Sequence, residues 1–214
     1  MRRLWLVAVV LLLAPLPAAC TTRPGTPPAA APSTTATASG AETADATEAA
    51  IASLLARPLR LPTVSPGEAC PVSGVTTRSP AAQESAAEGL GTGPLYPITF
   101  YIGQDATLRL GAQPPLPAKA PGPDGLYKLK VVWASTGAHP GPAVVRVGRL
   151  DGTGGGFVEL SYRPDARRGD AVVFALPDVA ADFPSTTSVS GPGCYAYQID
   201  GMNHSEVIVF RVVE

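Results

Sequence analysis

The chain has 214 residues, a formal net charge of −1 and only 15% charged side chains. With no basic surplus to neutralise phosphates, nucleic acid is excluded as a partner. The 24 prolines and 22 glycines, beside many Val and Leu, suit a domain of short strands and turns joined to a low-complexity stretch.

The first twenty residues read as a targeting segment. Arg2 and Arg3 precede an unbroken apolar run over residues 4–14, and Pro15-Leu16-Pro17-Ala18-Ala19 leads to Cys20. The run is too short and too interrupted by proline to span a hydrocarbon layer of ~30 Å. Ala18-Ala19-Cys20 resembles a bacterial lipobox, in which Cys20 becomes the lipidated first residue. The pattern departs where Leu is expected, because Leu16 lies one position early and Pro17 takes its place. Residues 1–20 are therefore expected to be a lipoprotein signal peptide, with lipid at Cys20 holding the protein on the extracytoplasmic side of a cell membrane. The alternative is an ordinary secretory signal cut near Ala19, which leaves a secreted protein.

The cysteines fit this address. There are three, Cys20, Cys70 and Cys194. An odd count in an exported protein leaves one thiol to explain. Lipid on Cys20 leaves Cys70 and Cys194 as a disulfide pair in an oxidising compartment. The alternative is two separately buried thiols.

Residues 21–57 form an Ala/Thr/Pro-rich tether. Up to about Ala41 it has almost no large apolar side chain, which predicts disorder. Its prolines favour an extended spacer of ~3.1 Å per residue. Residues 42–56 predict a short helix: Asp45 and Glu48 lie toward its start, Ile51, Leu54 and Leu55 make a narrow apolar face, and Pro58 stops it after Arg57.

Residues 58–214 are expected to be one all-β domain, an immunoglobulin-like antiparallel sandwich, with a closed barrel as the competing architecture. The prolines of residues 58–71 predict an extended lead-in along a sheet edge. Residues 74–94 form a long loop ending Gly89-Leu90-Gly91-Thr92-Gly93-Pro94. That run lacks the spacing, the following helix and the Lys-Ser/Thr of a phosphate loop. Strands are predicted over residues 98–102, 107–110 and 126–134, the last with Tyr127, Leu129, Val131 and Trp133 on one face and Lys128 and Lys130 on the other. Further strands are predicted over residues 143–150, which carry Arg146 and Arg149 on opposite faces, and over 157–162, 171–176, 186–190, 194–199 and 205–213. Gly152–Gly156 is a hairpin connection, and Asp200–His204 turns the chain between the last two strands. Ile208, Phe210 and Val212 supply the core face of the final strand.

Lys130-Val131-Val132-Trp133, then Val145-Arg146-Val147-Gly148-Arg149-Leu150-Asp151-Gly152, then Gly191-Pro192-Gly193-Cys194-Tyr195-Ala196-Tyr197-Gln198-Ile199-Asp200-Gly201 carry a resemblance. In these stretches the chain resembles a group of uncharacterised bacterial exported proteins. Their domain opens on Cys-Pro-Val, contains a Trp strand and an Arg-Gly-Arg-Leu-Asp-Gly run, and closes on a Gly-Cys-Tyr/Trp strand. Here Val147 interrupts the Arg-Gly pair. The resemblance covers residues 58–214 and implies a compact β-domain on an exported or lipid-anchored chain. It implies no particular activity.

No catalytic constellation stands out. The two histidines, His139 and His204, fall in turns, and no G-x-S-x-G occurs. Ser205 and Glu206 adjoin His204, but sequence neighbours on a strand point to opposite faces. No HExxH or Cys/His cluster suggests a metal. Asp165, Asp170, Asp178 and Asp182 read as solvated loop charges, and Arg168-Gly169-Asp170 as a chance match to an adhesion tripeptide. Tyr195 and Tyr197 share a strand face and are expected to cover the core with their hydroxyls at its rim. The function expected is a non-catalytic binding or structural envelope module, without metal or cofactor, that meets an envelope protein or glycan. The alternatives are an envelope hydrolase using His139, Asp165 or His204, and a carrier of a small ligand or metal.

Overall fold

A computed structural model describes residues 38–65, 67–76, 88–98, 105–111 and 118–214. Residues 1–37, with Cys20 and the first part of the expected tether, and residues 99–102 of the first expected strand lie outside the described residues.

The described part is an all-β sandwich with one helix. The elements in chain order are α1 (Ala38–Leu55), β1 (Val75–Thr76), β2 (Gly89–Leu90), β3 (Leu95–Pro97), β4 (Thr107–Arg109), β5 (Tyr127–Ser135), β6 (Gly141–Arg149), β7 (Gly155–Leu160), β8 (Arg167–Arg168), β9 (Ala171–Leu176), β10 (Ala181–Val189), β11 (Gly193–Gly201) and β12 (Ser205–Val213). β1 and β2 pair with each other. The other ten strands form one curled sheet in the order β3-β5-β10-β7-β6-β11-β12-β4, with β9 on the free half of the β6 edge and β8 beyond it. All ladders are antiparallel except that of β12 with β4.

The curl folds the sheet on itself at a narrow joint, where β6 meets β7 only through Val147–Gly156 and Gly148–Gly155. One half is β3-β5-β10-β7 and the other β9-β6-β11-β12-β4. Trp133 of β5 is fully buried between them, 4.8 Å from the Tyr197 ring of β11 and 5.6 Å from the Phe174 ring of β9. Phe210 stacks on Tyr197 at 4.4 Å. Edge-on and offset ring pairs of this kind add about 0.5–1.5 kcal/mol beyond the area they bury. The two tyrosines lie inside the core, not at its rim. The Tyr197 hydroxyl shares a 2.9 Å hydrogen bond with Thr187, and that of Tyr195 donates to the Gly191 carbonyl at 2.9 Å. A phenol is tolerated in a core when its hydroxyl finds such a partner.

Lys128 and Lys130 are exposed on the outer face of the first half, as their alternation with apolar neighbours predicts. β10 is the largest departure from expectation. It runs nine residues and contains Pro184. Val132, which pairs with Pro184, gives its carbonyl to the Ile98 N–H on the other side of β5, so the pair is a non-hydrogen-bonded one. On its β7 side Pro184 lies just past the ladder, which begins at Ser185–Leu160. Its missing N–H therefore costs the sheet nothing.

The outer face of the second half is covered. α1 begins at Ala38, so Asp45 and Glu48 sit mid-helix and not in the first turn, and Glu48 lies 3.9 Å from Arg168. Leu54 is buried against Val144 of β6 and Ala171 of β9. Burying one such side chain contributes about 1.5–3 kcal/mol. After Arg57 the chain crosses the face of β6, β11 and β12, not a sheet edge. Leu61, Val64 and Cys70 pack on Cys194, Ala196, Leu150 and Val209. Gly148 makes this approach possible, because a Cβ there would collide with Leu61. Cys70 and Cys194 are joined by a disulfide, with Cα atoms 5.5 Å apart and a sequence separation of 124.

Candidate functional site

An extended segment laid across a sheet face has backbone donors and acceptors with no strand edge to receive them. Two side chains on the outer face of β6 and β11 take several of them, and a third braces the two. Gln198 donates from Nε2 to the Pro58 carbonyl at 3.0 Å and accepts from the Arg60 N–H at 2.6 Å. Arg146, the cross-strand partner of Gln198, donates from Nη1 to the Arg57 carbonyl at 2.6 Å. Asp200 lies one step along β11. Its Oδ2 accepts from Arg146 Nη2 at 2.7 Å and from Gln198 Nε2 at 2.8 Å, and its Oδ1 accepts from the Ser205 hydroxyl at 2.8 Å. Arg146 and Asp200 keep only 7% and 1% of their surface exposed, so this is a buried ion pair.

Burial works against the charge of Asp200. The hydrogen bonds from Gln198, Ser205 and Arg146 outweigh it and hold its carboxyl below the ordinary aspartate value. Arg57, at the end of the helix, donates from Nη1 to the Gly201 carbonyl at 3.0 Å and comes within 3.9 Å of Asp200 Oδ1. Above this network a cleft of about 310 Å³ opens, lined by Arg57, Pro58, Arg60, Gln198, Asp200 and Ser205.

His204 is close by. The hairpin turn between β11 and β12 closes with the Gly201 N–H donating to the His204 carbonyl at 2.9 Å. The imidazole sits where a side chain at Gly201 would be, so only glycine fits beneath it. His204 is half-buried and not an exposed turn residue. Its ring centroid lies 5.7 Å from that of the exposed His139, and neither of its buried ring nitrogens has a hydrogen-bond partner. Burial lowers its pKa, and the neighbouring His139 and Arg57 lower it further against the opposing pull of Asp200.

The structure brings His139 and His204 together but places Asp165 elsewhere, in an exposed pair with Arg163 at 3.3 Å. Ser205 gives its hydroxyl to Asp200 and not to His204, so no nucleophile–base hydrogen bond forms. Asp170, Asp178 and Asp182 are exposed, as expected of loop charges. Among the described residues, no three His, Cys, Asp or Glu side chains gather where they could hold a metal ion.

Two sequence features acquire a structural role. The Gly-rich run before Pro94 is an anion-binding loop filled from within, because the Thr92 and Gly93 N–H groups donate to the Glu206 carboxylate. Arg149-Leu150-Asp151 meets the Gly191-Pro192-Gly193-Cys194 bend. Arg149 donates to the Pro192 carbonyl and to Asp151 at 2.8 Å each, and Asp151 accepts the Cys194 N–H at 3.0 Å. Burial opposes ionisation of Asp151, but Arg149 and Cys194 hold its carboxyl below the ordinary value.

No protein-family model matches the chain. A search of curated proteins finds no significant match. The structure gives the Arg149–Asp151 and Gly191–Cys194 runs a role in closing the fold.

Proposed function

We propose that the protein is a lipoprotein anchored through Cys20 to the extracytoplasmic side of a membrane, carrying a non-catalytic β-sandwich that binds an envelope protein or glycan or serves a structural role. The observation that supports this most is the Cys70–Cys194 disulfide. It suits an oxidising compartment and leaves Cys20 as the one cysteine outside a pair, at the position where a lipoprotein signal places its lipidated residue.

The commitments of the polar groups favour binding over catalysis. Asp200, Ser205, Gln198 and Arg146 bond one another and the crossing segment, which holds a surface in shape but leaves no activated nucleophile among them. Carriage of a small ligand is the second reading, favoured by the cleft over Asp200. The address is tested by replacing Cys20 with Ala in cells. Release of the protein from the membrane fraction is expected, and undiminished membrane retention would refute the anchor.

A further inference from the structure

The walls of the cleft over Asp200 carry an unbalanced charge. Arg57 and Arg60 line it and Arg146 lies beneath, against the single carboxylate of Asp200, which is three positive groups to one negative. The negative group is not available to a cation, since both of its oxygens already accept hydrogen bonds from Arg146, Gln198 and Ser205. Arg57 uses only Nη1, on the Gly201 carbonyl and toward Asp200. The Arg60 guanidinium makes no hydrogen bond or ion pair to the described residues. The backbone N–H of the same residue is fixed by Gln198, so its side chain leaves from a held position at the mouth of the cleft. Glu206, the nearest carboxylate along β12, belongs to the opposite face and is taken by Thr92 and Gly93.

We propose that this cleft binds a small oxyanion, a phosphate or carboxylate group, held between the guanidinium groups of Arg57 and Arg60. The fork of N–H donors on arginine matches the paired oxygens of either group. A volume of about 310 Å³ admits the anionic head with a few further atoms, at the small end of ligand sites. The buried Arg146–Asp200 pair then has a positional role: through Gln198 and the Arg57 carbonyl it fixes both ends of the segment that presents the two arginines. This inference rests on the reading of the domain as a binding module.

The test uses the full chain with its disulfide intact, titrated with inorganic phosphate, with acetate, and with chloride at matched ionic strength, while NMR follows the Gln198 side-chain amide, the Ser205 amide and the Arg60 Nε–H. Saturable shifts at these groups with phosphate or acetate, and none with chloride, are expected. Arg60→Gln should weaken the binding about tenfold or more, the effect of losing a hydrogen bond to a charged group. Lys128→Gln, on the far wet face, should leave it unchanged. Absence of saturable shifts with both anions, or equal affinity in Arg60→Gln, overturns the assignment. Neutral mono- and disaccharides run in parallel separate the two readings: saturable shifts from a sugar with none from the anions overturn the oxyanion site and leave the module reading standing. Anionic-phospholipid bilayers, compared with free phosphate, distinguish a lipid headgroup from a soluble ligand as the source of the anion.

Discussion

Asp200 shows how one side chain can be indispensable to a face without driving the fold's stability. A buried ion pair gains little over a well-packed apolar pair, because desolvation offsets most of the attraction. Removing one member is a different matter, since the other is left charged and uncompensated. Asp200→Asn keeps the shape and the Ser205 contact but strips the charge facing Arg146, which has only 7% of its surface in water. A loss of about 3–5 kcal/mol is expected. Urea unfolding reads it as a fall in midpoint at constant slope. The exposed Arg167–Glu159 pair, at 3.3 Å, gives the contrast. Glu159→Gln should cost less than about 1 kcal/mol, because water and salt screen such pairs. Equal costs for the two variants would show that Asp200 is not the buried partner described.

At the scale of elements, the segment over residues 58–73 is the least self-sufficient part of the domain. It has no ladder of its own and relies on Gln198, Arg146, a few apolar contacts and the disulfide. Cross-linking across 124 residues removes about 5 kcal/mol of unfolded-state freedom in the chain-entropy model. Cys70→Ser combined with Cys194→Ala should lower the unfolding free energy by up to that amount. Hydrogen exchange should rise first at Val64 and Ser73, whose N–H groups bond Leu150 and Val209. Uniform acceleration across β5 and β10 instead would mean that the staple acts on the whole sandwich and not on this segment. The elements best read from sequence were those whose apolar residues form a clear alternation or a continuous run. β5 showed the first, and β9 and β12 the second. β10 was mostly missed because its buried face uses Ser185 and Thr187, which hydrogen-bond the Val131 carbonyl and Tyr197 where an apolar side chain would ordinarily pack. Arg146 was read only as facing away from Arg149, and Asp200 as part of a turn, so the buried pair they form was not foreseen. Neither the pairing of β6 with β11 nor the segment that covers this face was legible in the pattern.

Across the whole molecule, the covered outer face makes acid the condition that separates its parts. The folded pKa of His204 is lowered from the ordinary histidine value of 6.5, chiefly by burial and then by His139 and Arg57. The unfolded chain therefore binds a proton at this site before the folded one does. Stability is intact above pH 6.5 and declines as the pH falls below it toward the folded pKa. Asp200 and Asp151 are held below the ordinary aspartate value of 3.8, so their contributions persist through that first decline and are lost only as the pH drops below 3.8 toward their folded values. Thermal unfolding across pH should show two separate losses. His204→Gln should flatten the upper one by removing the group that must stay neutral, and Asp200→Asn should diminish the lower one while deepening the upper, because it removes the carboxylate that opposes the lowering at His204. The upper loss has a local address. Protonated His204 would face Arg57 and His139 with Asp200 already engaged by Arg146, so the hairpin from Gly201 to Ser205 should loosen before β11 and β12 do. An upper loss that survives unchanged in His204→Gln would assign it to another group.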